Sequence, residues 1–222
     1  MTGFLIAIDT TAGTTVALLR DDEVLAEVRY QDGLKHAETI GNAITEVFAK
    51  AQLEPKVLSA VAVGRGPALF TGLRVGIAAG VMLSEATGAK LIGVVSHDAI
   101  ALEVYSVEPA LAAKPLLVHT DARRGEVYWA LYGGLDRHGL PVLLAGPSVG
   151  KYAEVTATLA EEFGEFNERT QGATADWLAR LARKQLAEGF ATDDVTALYL
   201  RAPDATMPKP NQQFGKRVSD DR

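Results

Sequence analysis

No cysteine occurs in the 222 residues, which excludes a disulfide framework, a thiolate nucleophile and a sulfur-ligated metal, and suits a cytoplasmic protein. Long apolar runs are missing as well. The longest, residues 75–83, falls far short of a bilayer span, and the run at 4–8 ends at Asp9 with no basic stretch before it. Neither a membrane segment nor a secretory leader is expected. Positive charge is in deficit: 22 Lys and Arg stand against 28 Asp and Glu, a formal charge of −6, and no overall field draws such a chain onto a phosphate backbone. Catalytic signatures are also scarce. His36, His97, His119 and His138 form no H-x-x-x-H or H-E-x-x-H pair, residues 146–152 miss the phosphate-loop spacing and its hydroxyl, and no G-x-S-x-G elbow occurs. A metal site is not expected.

What remains is ordinary globular composition, 48% hydrophobic and 23% charged, over a length between one large domain and two small ones. Residues 4–9, 14–20 and 23–30 are short runs rich in β-formers separated by turn residues, which predicts a three-stranded meander. Ala37, Ile40, Ala43, Ile44, Val47 and Phe48 then recur at helical spacing; a strand follows at 58–63, a second helix at 69–83 and a strand at 91–95. The second helix carries Gly72, Gly76 and Gly80 on one face, and each glycine in a helix interior costs roughly 1 kcal/mol relative to alanine. Three on one stripe predict a close approach that offsets the cost, most simply by another helix backbone. Leu73, Ile77 and Val81 form a second apolar row beside them.

A comparable order then returns: strands at 115–120, 126–132 and 141–145, helices at 149–163 and 173–188, and a final strand at 198–201. A shift of 112 residues superimposes Leu5 on Leu117, Asp9 on Asp121, Gly13 on Gly125 and Leu19 on Leu131. Residues 164–172 are too polar for the buried strand that a full repeat would place there, so the second half reads as abbreviated. The resulting fold class is α/β, with the element order shared by actin, Hsp70 chaperones and sugar kinases (the ASKHA fold): duplicated ribonuclease-H-like lobes about a cleft, at 1–105 and 106–207. An unrelated pair of α/β units is the competing arrangement. The tail at 208–222, rich in Pro, Asn, Gln and charge, reads as disordered.

Asp9, Thr10 and Thr11 end the first strand and Gly13 precedes the next, the position at which actin-like proteins grip phosphate and metal; the same residues also suit a plain hairpin turn. Asp121 is the counterpart in the second half. Arg123 and Arg124 beside it either contact an acidic partner or are solvated charge at a hairpin tip. His36, beside Glu38 at a helix start, reads as structural in preference to an acid or base. Gly64-Arg65-Gly66-Pro67 reads as a tight strand-to-helix turn before an anion site, because Pro67 removes a donor.

Together, residues 5–11, Lys35-His36-Ala37-Glu38, residues 64–76, Gly93-Val94-Val95-Ser96, residues 121–129 and Tyr199-Leu200-Arg201 resemble the TsaB (YeaZ-like) family. Departures fall at Thr11, Ala37 and Ala68-Leu69. The resemblance implies a non-catalytic subunit that pairs with the catalytic paralogue TsaD, and through it engages the ATPase TsaE, for threonylcarbamoyl modification of the tRNA adenosine next to the anticodon. It further implies that this subunit alone binds no cofactor, with ATP and metal on the partners, and that tRNA is met only through the complex. A homodimer in the absence of TsaD is the alternative assembly. Pairing in the family uses the first two helices, so the expected interface is His36, Ile40, Ile44, Gly72, Leu73, Gly76, Ile77, Gly80 and Val81. Asp9, Thr10, Thr11, Gly13 and Asp121 become vestigial phosphate-loop residues. On this reading Gly76→Leu abolishes pairing while sparing the isolated fold, and Asp9→Ala leaves activity of the complex nearly intact. The competing function is an ATP-dependent actin-like phosphotransferase using Asp9, Thr10, Gly13 and Asp121 with magnesium. A peptidase reading lacks both nucleophile and metal set.

Overall fold

Alternation along the first strand, β1 (Phe4–Asp9), sends Leu5 and Ala7 to one face of a sheet and Ile6 and Ile8 to the other, and all four are buried. A strand buried on both faces belongs inside a sheet that helices cover on each side. The computed structural model, which describes residues 3–31 and 36–201, places it there. In chain order the elements are β1, β2 (Thr14–Arg20), β3 (Glu23–Tyr30), α1 (His36–Ala51), β4 (Leu58–Gly64), α2 (Phe70–Thr87), β5 (Lys90–Val94), α3 (Ser96–Val107), β6 (Leu116–Asp121), β7 (Glu126–Leu135), β8 (Pro141–Lys151), α4 (Tyr152–Phe163), β9 (Asn167–Arg169) and α5 (Ala175–Ala187).

The first sheet has the order β3-β2-β1-β4-β5, with β1 to β3 antiparallel and β1, β4 and β5 parallel. This is the ribonuclease-H-like order. Ala43, Val47 and Phe48 of α1, with Ile77 of α2, pack against Ile6, Ile8, Val16, Val61 and Val63. On the other face, Ala99 and Leu102 of α3 and Leu178, Ala179 and Ala182 of α5 meet Leu5, Ala7, Ala60 and Ala62. The second sheet has the order β8-β7-β6-β9. Its Leu116, Val118 and Tyr132 pack on Ile100, Val104 and Tyr105 of α3, and Leu117 and Leu131 on Val155 and Leu159 of α4. Helix α3 therefore lies between the sheets, and two lobes of actin-like architecture result, the second one smaller.

Three elements differ from the sequence expectation. Helix α3 was not anticipated, because Ser96, His97, Ala99 to Leu102, Val104 and Tyr105 are buried nearly all round and leave no amphipathic period to read; the expected lobe boundary at 105/106 cuts its last turn. Residues 167–169 do form a strand, pairing parallel with β6 from Leu116↔Asn167 to Val118↔Arg169. Their polarity suits its position at the sheet edge. Residues 198–201 form no strand: Leu198 N donates to the Arg65 carbonyl at 2.7 Å, and Tyr199 packs on Phe70 and accepts from Arg74 Nε of α2. The tail at 208–222 and Lys35 lie outside the described residues.

The glycine stripe of α2 turns inward. A methyl on Gly80 would overlap Val63 Cγ1, one on Gly76 would sit 3.0 Å from Thr10 Cγ2, and one on Gly72 would sit 2.8 Å from the His36 ring and 3.1 Å from the Thr10 carbonyl. The close approach is by this chain's own strand β4 and by the turn after β1, which corrects the expectation of a foreign helix. Leu73 is fully buried, His36, Gly76 and Gly80 are buried too, and Ile40, Ile44 and Ile77 pack partly into their own core. Of the expected interface residues, Gly72 and Val81 are half-buried.

Candidate functional site

Between the lobes lies a cleft of about 560 Å³, bounded by Thr10, Thr11, His36 and the start of α2 on one side and by Thr120, Asp121 and Arg123 on the other. Parallel strands β1 and β4 point their C-terminal ends at it, the place where α/β sheets collect ligands. The expected phosphate-loop residues do not all face it. Asp9 is 1% exposed and points inward. Its Oδ1 accepts from Thr11 N at 2.8 Å and Thr11 Oγ1 at 2.5 Å, and its Oδ2 accepts from Ser96 Oγ at 2.7 Å. A methyl on Gly64 would overlap Oδ2, so glycine there makes room for the carboxylate. Burial pushes the Asp9 pKa up, opposed by the hydrogen bonds from Ser96 and Thr11.

Asp9 thus ties the end of β1 to the start of α3. Thr10 Oγ1 is also committed, donating to the Gly72 carbonyl at 2.9 Å, and Gly13 has no room for a side chain because a methyl would stand 2.8 Å from the Tyr30 carbonyl. His36 Nδ1 lies 3.0 Å from Thr14 Oγ1, which itself lies 3.0 Å from Thr39 Oγ1. These are bonds of a folded turn.

The duplication inferred from sequence recurs in the geometry. Asp121 Oδ1 accepts from Arg123 N at 2.8 Å, the same bond to the second residue onward that Asp9 makes with Thr11 N. The environments differ: the Asp121 side chain is 63% exposed and its Oδ2 lies 3.2 Å from Arg123 Nη1. Arg123, Arg124 and Gly125 all have positive φ, at 66°, 58° and 75°, a turn that favours glycine over the two arginines. Arg201 braces this hairpin, its Nη1 donating to the Ala122 carbonyl at 2.9 Å and its Nη2 lying 3.1 Å from Glu126 Oε2.

Two groups that sequence reasoning left without a role, the buried His97 and the half-buried Asp98, sit where α3 joins the lobes. His97 Nε2 lies 3.0 Å from Thr120 Oγ1, and burial, with His119 nearby, lowers its pKa to about 3, so the ring is neutral. Asp98 accepts from Tyr132 Oη at 2.6 Å, and burial raises its pKa to about 6. The Ser96 that grips Asp9 belongs to the same turn.

The sequence model described as TsaD, tRNA N6-adenosine threonylcarbamoyltransferase, matches residues 23–199. The chain belongs to this family. Its relatives place it on the TsaB (YeaZ-like) side: TsaB of Escherichia coli is 35% identical over 131 residues and TsaB of Bacillus subtilis 30% identical over 129, each match covering 58% of this chain and 54% of the relative. An uncharacterised Mycobacterium leprae protein is 40% identical over 156 residues, 68% of this chain and 40% of that protein. The chain thus spans about half the length, or less, of these curated relatives. YeaZ from Pseudomonas aeruginosa has the same fold, with a TM-score of 0.71 at 23% identity over 89% of this chain and 100% of that one.

For this TsaB-like member the open surface lies opposite the glycine stripe. Positions two apart lie about 200° round a helix, so Phe70, Arg74, Ala78 and Met82 occupy the outer face of α2, and all four are exposed. Tyr199 stacks on Phe70 with ring centres 4.7 Å apart and accepts from Arg74 Nε at 2.8 Å, so the open part of this face is Ala78 and Met82, the latter 72% exposed. On α1, Gly41 has none of the described residues within 4 Å of where a Cβ would stand, and Ala37, Gly41 and Thr45 are exposed at the same four-residue spacing. Gly41 was missed from sequence, although the cost of an interior helix glycine applies to it as it does to Gly76.

Proposed function

We propose that this chain is a non-catalytic scaffold subunit in tRNA threonylcarbamoyladenosine biosynthesis, pairing through the outer faces of α1 and α2 with a TsaD-like paralogue and through that pair engaging a TsaE-like ATPase. The observation that carries the reading is the outer face itself. Helix α2 has only Arg74 and Glu85 as charged residues in 18 positions, its exposed stripe includes Ala78 and Met82, and Gly41 on α1 leaves space that none of the described residues fills. An apolar face flanked by a small-residue row suits a close helix-to-helix interface. Asp9 supports the non-catalytic part, since both carboxylate oxygens are bonded within the fold.

Gly41→Leu tests the interface. The substitution is expected to leave the isolated chain folded, with up to about 1 kcal/mol gained from helix propensity, and to abolish co-purification with a TsaD-like partner, as Met82→Glu does. Retained pairing in both variants rules this interface out. The cleft beside Thr120 and Asp121 motivates one second reading, an actin-like phosphotransferase; micromolar binding of magnesium ATP to the isolated chain by calorimetry would favour it over the scaffold.

A further inference from the structure

At the opposite end of the first sheet, where β1, β4 and β5 begin, a recess of about 620 Å³ opens beneath α5. Leu5 and Ala60, both nearly buried, line its floor, and Trp177 contributes an aromatic wall. Four cations border it, Lys90, Arg180, Arg183 and Lys184, against two carboxylates, Asp21 and Asp22. This is a local excess of positive charge in a chain whose formal charge is −6. Arg183 is held by Asp21 at 3.6 Å and by the Gly3 carbonyl. The other three cations make no ion pair among the described residues. Arg180 lies with its guanidinium carbon 5.3 Å from the Trp177 ring centre, and its Nε is buried with no hydrogen-bond partner among the described residues.

We propose that this recess binds a small phosphorylated molecule of mononucleotide size. The inference is independent of the pairing described above. Cations grouped over an apolar floor focus their field where water is partly excluded, and a phosphate there would receive charge-assisted hydrogen bonds from Arg180, Lys184 and Lys90. Trp177 supplies aromatic surface for an attached base. Small-molecule sites occupy about 300–1,000 Å³, and the recess falls within that range.

Calorimetric titration of the full chain with AMP and, separately, with inorganic pyrophosphate tests this. Saturable binding of either probe at one site is expected. Arg180→Gln and Lys90→Gln, on different elements, should each weaken it about tenfold, as loss of one charge-assisted contact implies. Asp22→Asn should strengthen it by removing a carboxylate from the border. Thermal melts of the three variants establish that they are folded. No binding of either probe at millimolar concentration overturns the proposal; so does affinity that both cation substitutions leave unchanged, or binding confined to tRNA.

Discussion

The same substitution placed in two helices should act with opposite sign. Replacing an interior helix glycine by alanine gains roughly 0.8–1 kcal/mol of intrinsic propensity. At Gly41 none of the described residues lies within 4 Å of the added methyl, so Gly41→Ala should realise most of that gain. At Gly80 the methyl overlaps Val63 Cγ1, a fully buried side chain, with Val61 Cγ1 at 3.6 Å behind it. Overpacking of this kind costs about 1–3 kcal/mol, which exceeds the propensity gain and should leave Gly80→Ala destabilised by about 1 kcal/mol. For a chain of this size each kcal/mol moves Tm by about 2–4 °C. Calorimetric melting of the two variants should therefore show one rising and one falling. Val63→Ala, which removes the clashing atoms, should be less destabilising in the Gly80→Ala background than alone. A Gly80→Ala variant as stabilised as Gly41→Ala would refute the inward placement of the stripe and restore the idea that it waits for a foreign helix.

Asp9→Ala strands the hydroxyl of Ser96 and the amide of Thr11 and should cost about 1–3 kcal/mol, whereas Asp9→Asn retains an acceptor for Thr11 and removes a buried charge. Denaturant titration at neutral pH should place Asp9→Asn at or above the parent; equal losses in both would contradict the internal bonding. Asp98 gives a pH test. Its folded pKa is about 6 against an ordinary 3.8, so its contribution is fully present below pH 4 and is lost as pH rises through 6, by roughly 1–3 kcal/mol at 1.36 kcal/mol per unit. Asp98→Asn, which still accepts from Tyr132, should gain on the parent across that window, and a stability difference constant between pH 4 and 7 would show that the carboxylate is not penalised.

Much of the first lobe was legible because its signals are local. The three strands of the meander alternate or run apolar, and the turn residues between them mark their ends. The glycine stripe was legible as a demand for close packing, but spacing alone does not say what approaches. Val63 and Thr10 lie in segments before the helix, and only folding brings them under it. The Asp9 turn was read as a hairpin or phosphate loop, yet the partner that decides its role, Ser96, is 87 residues away. In the second lobe β9 escaped because an edge strand can be polar, and between the lobes α3 escaped because burial on all sides erases helical periodicity.

That uniform burial also explains why the lobes cannot be treated as separate modules. Helix α5 belongs by sequence to the second half, but its Leu178, Ala179 and Ala182 cover the Leu5 and Ala7 face of the first sheet, while α3 holds the first sheet with Ala99 and Leu102 and the second with Ile100 and Val104. Helices α1 and α2 rest their inner faces on the same first sheet from the other side. A partner that docks on them therefore rests on a platform whose underside is completed by residues about 100 positions later in the chain. The short residues on that underside, alanine against alanine, let α5 seat closely, while its longer cations, Arg180 and Lys184, border the recess at its edge. The placement of α5 thus completes the support beneath the proposed pairing surface and also creates the proposed anion site at the far end of the sheet.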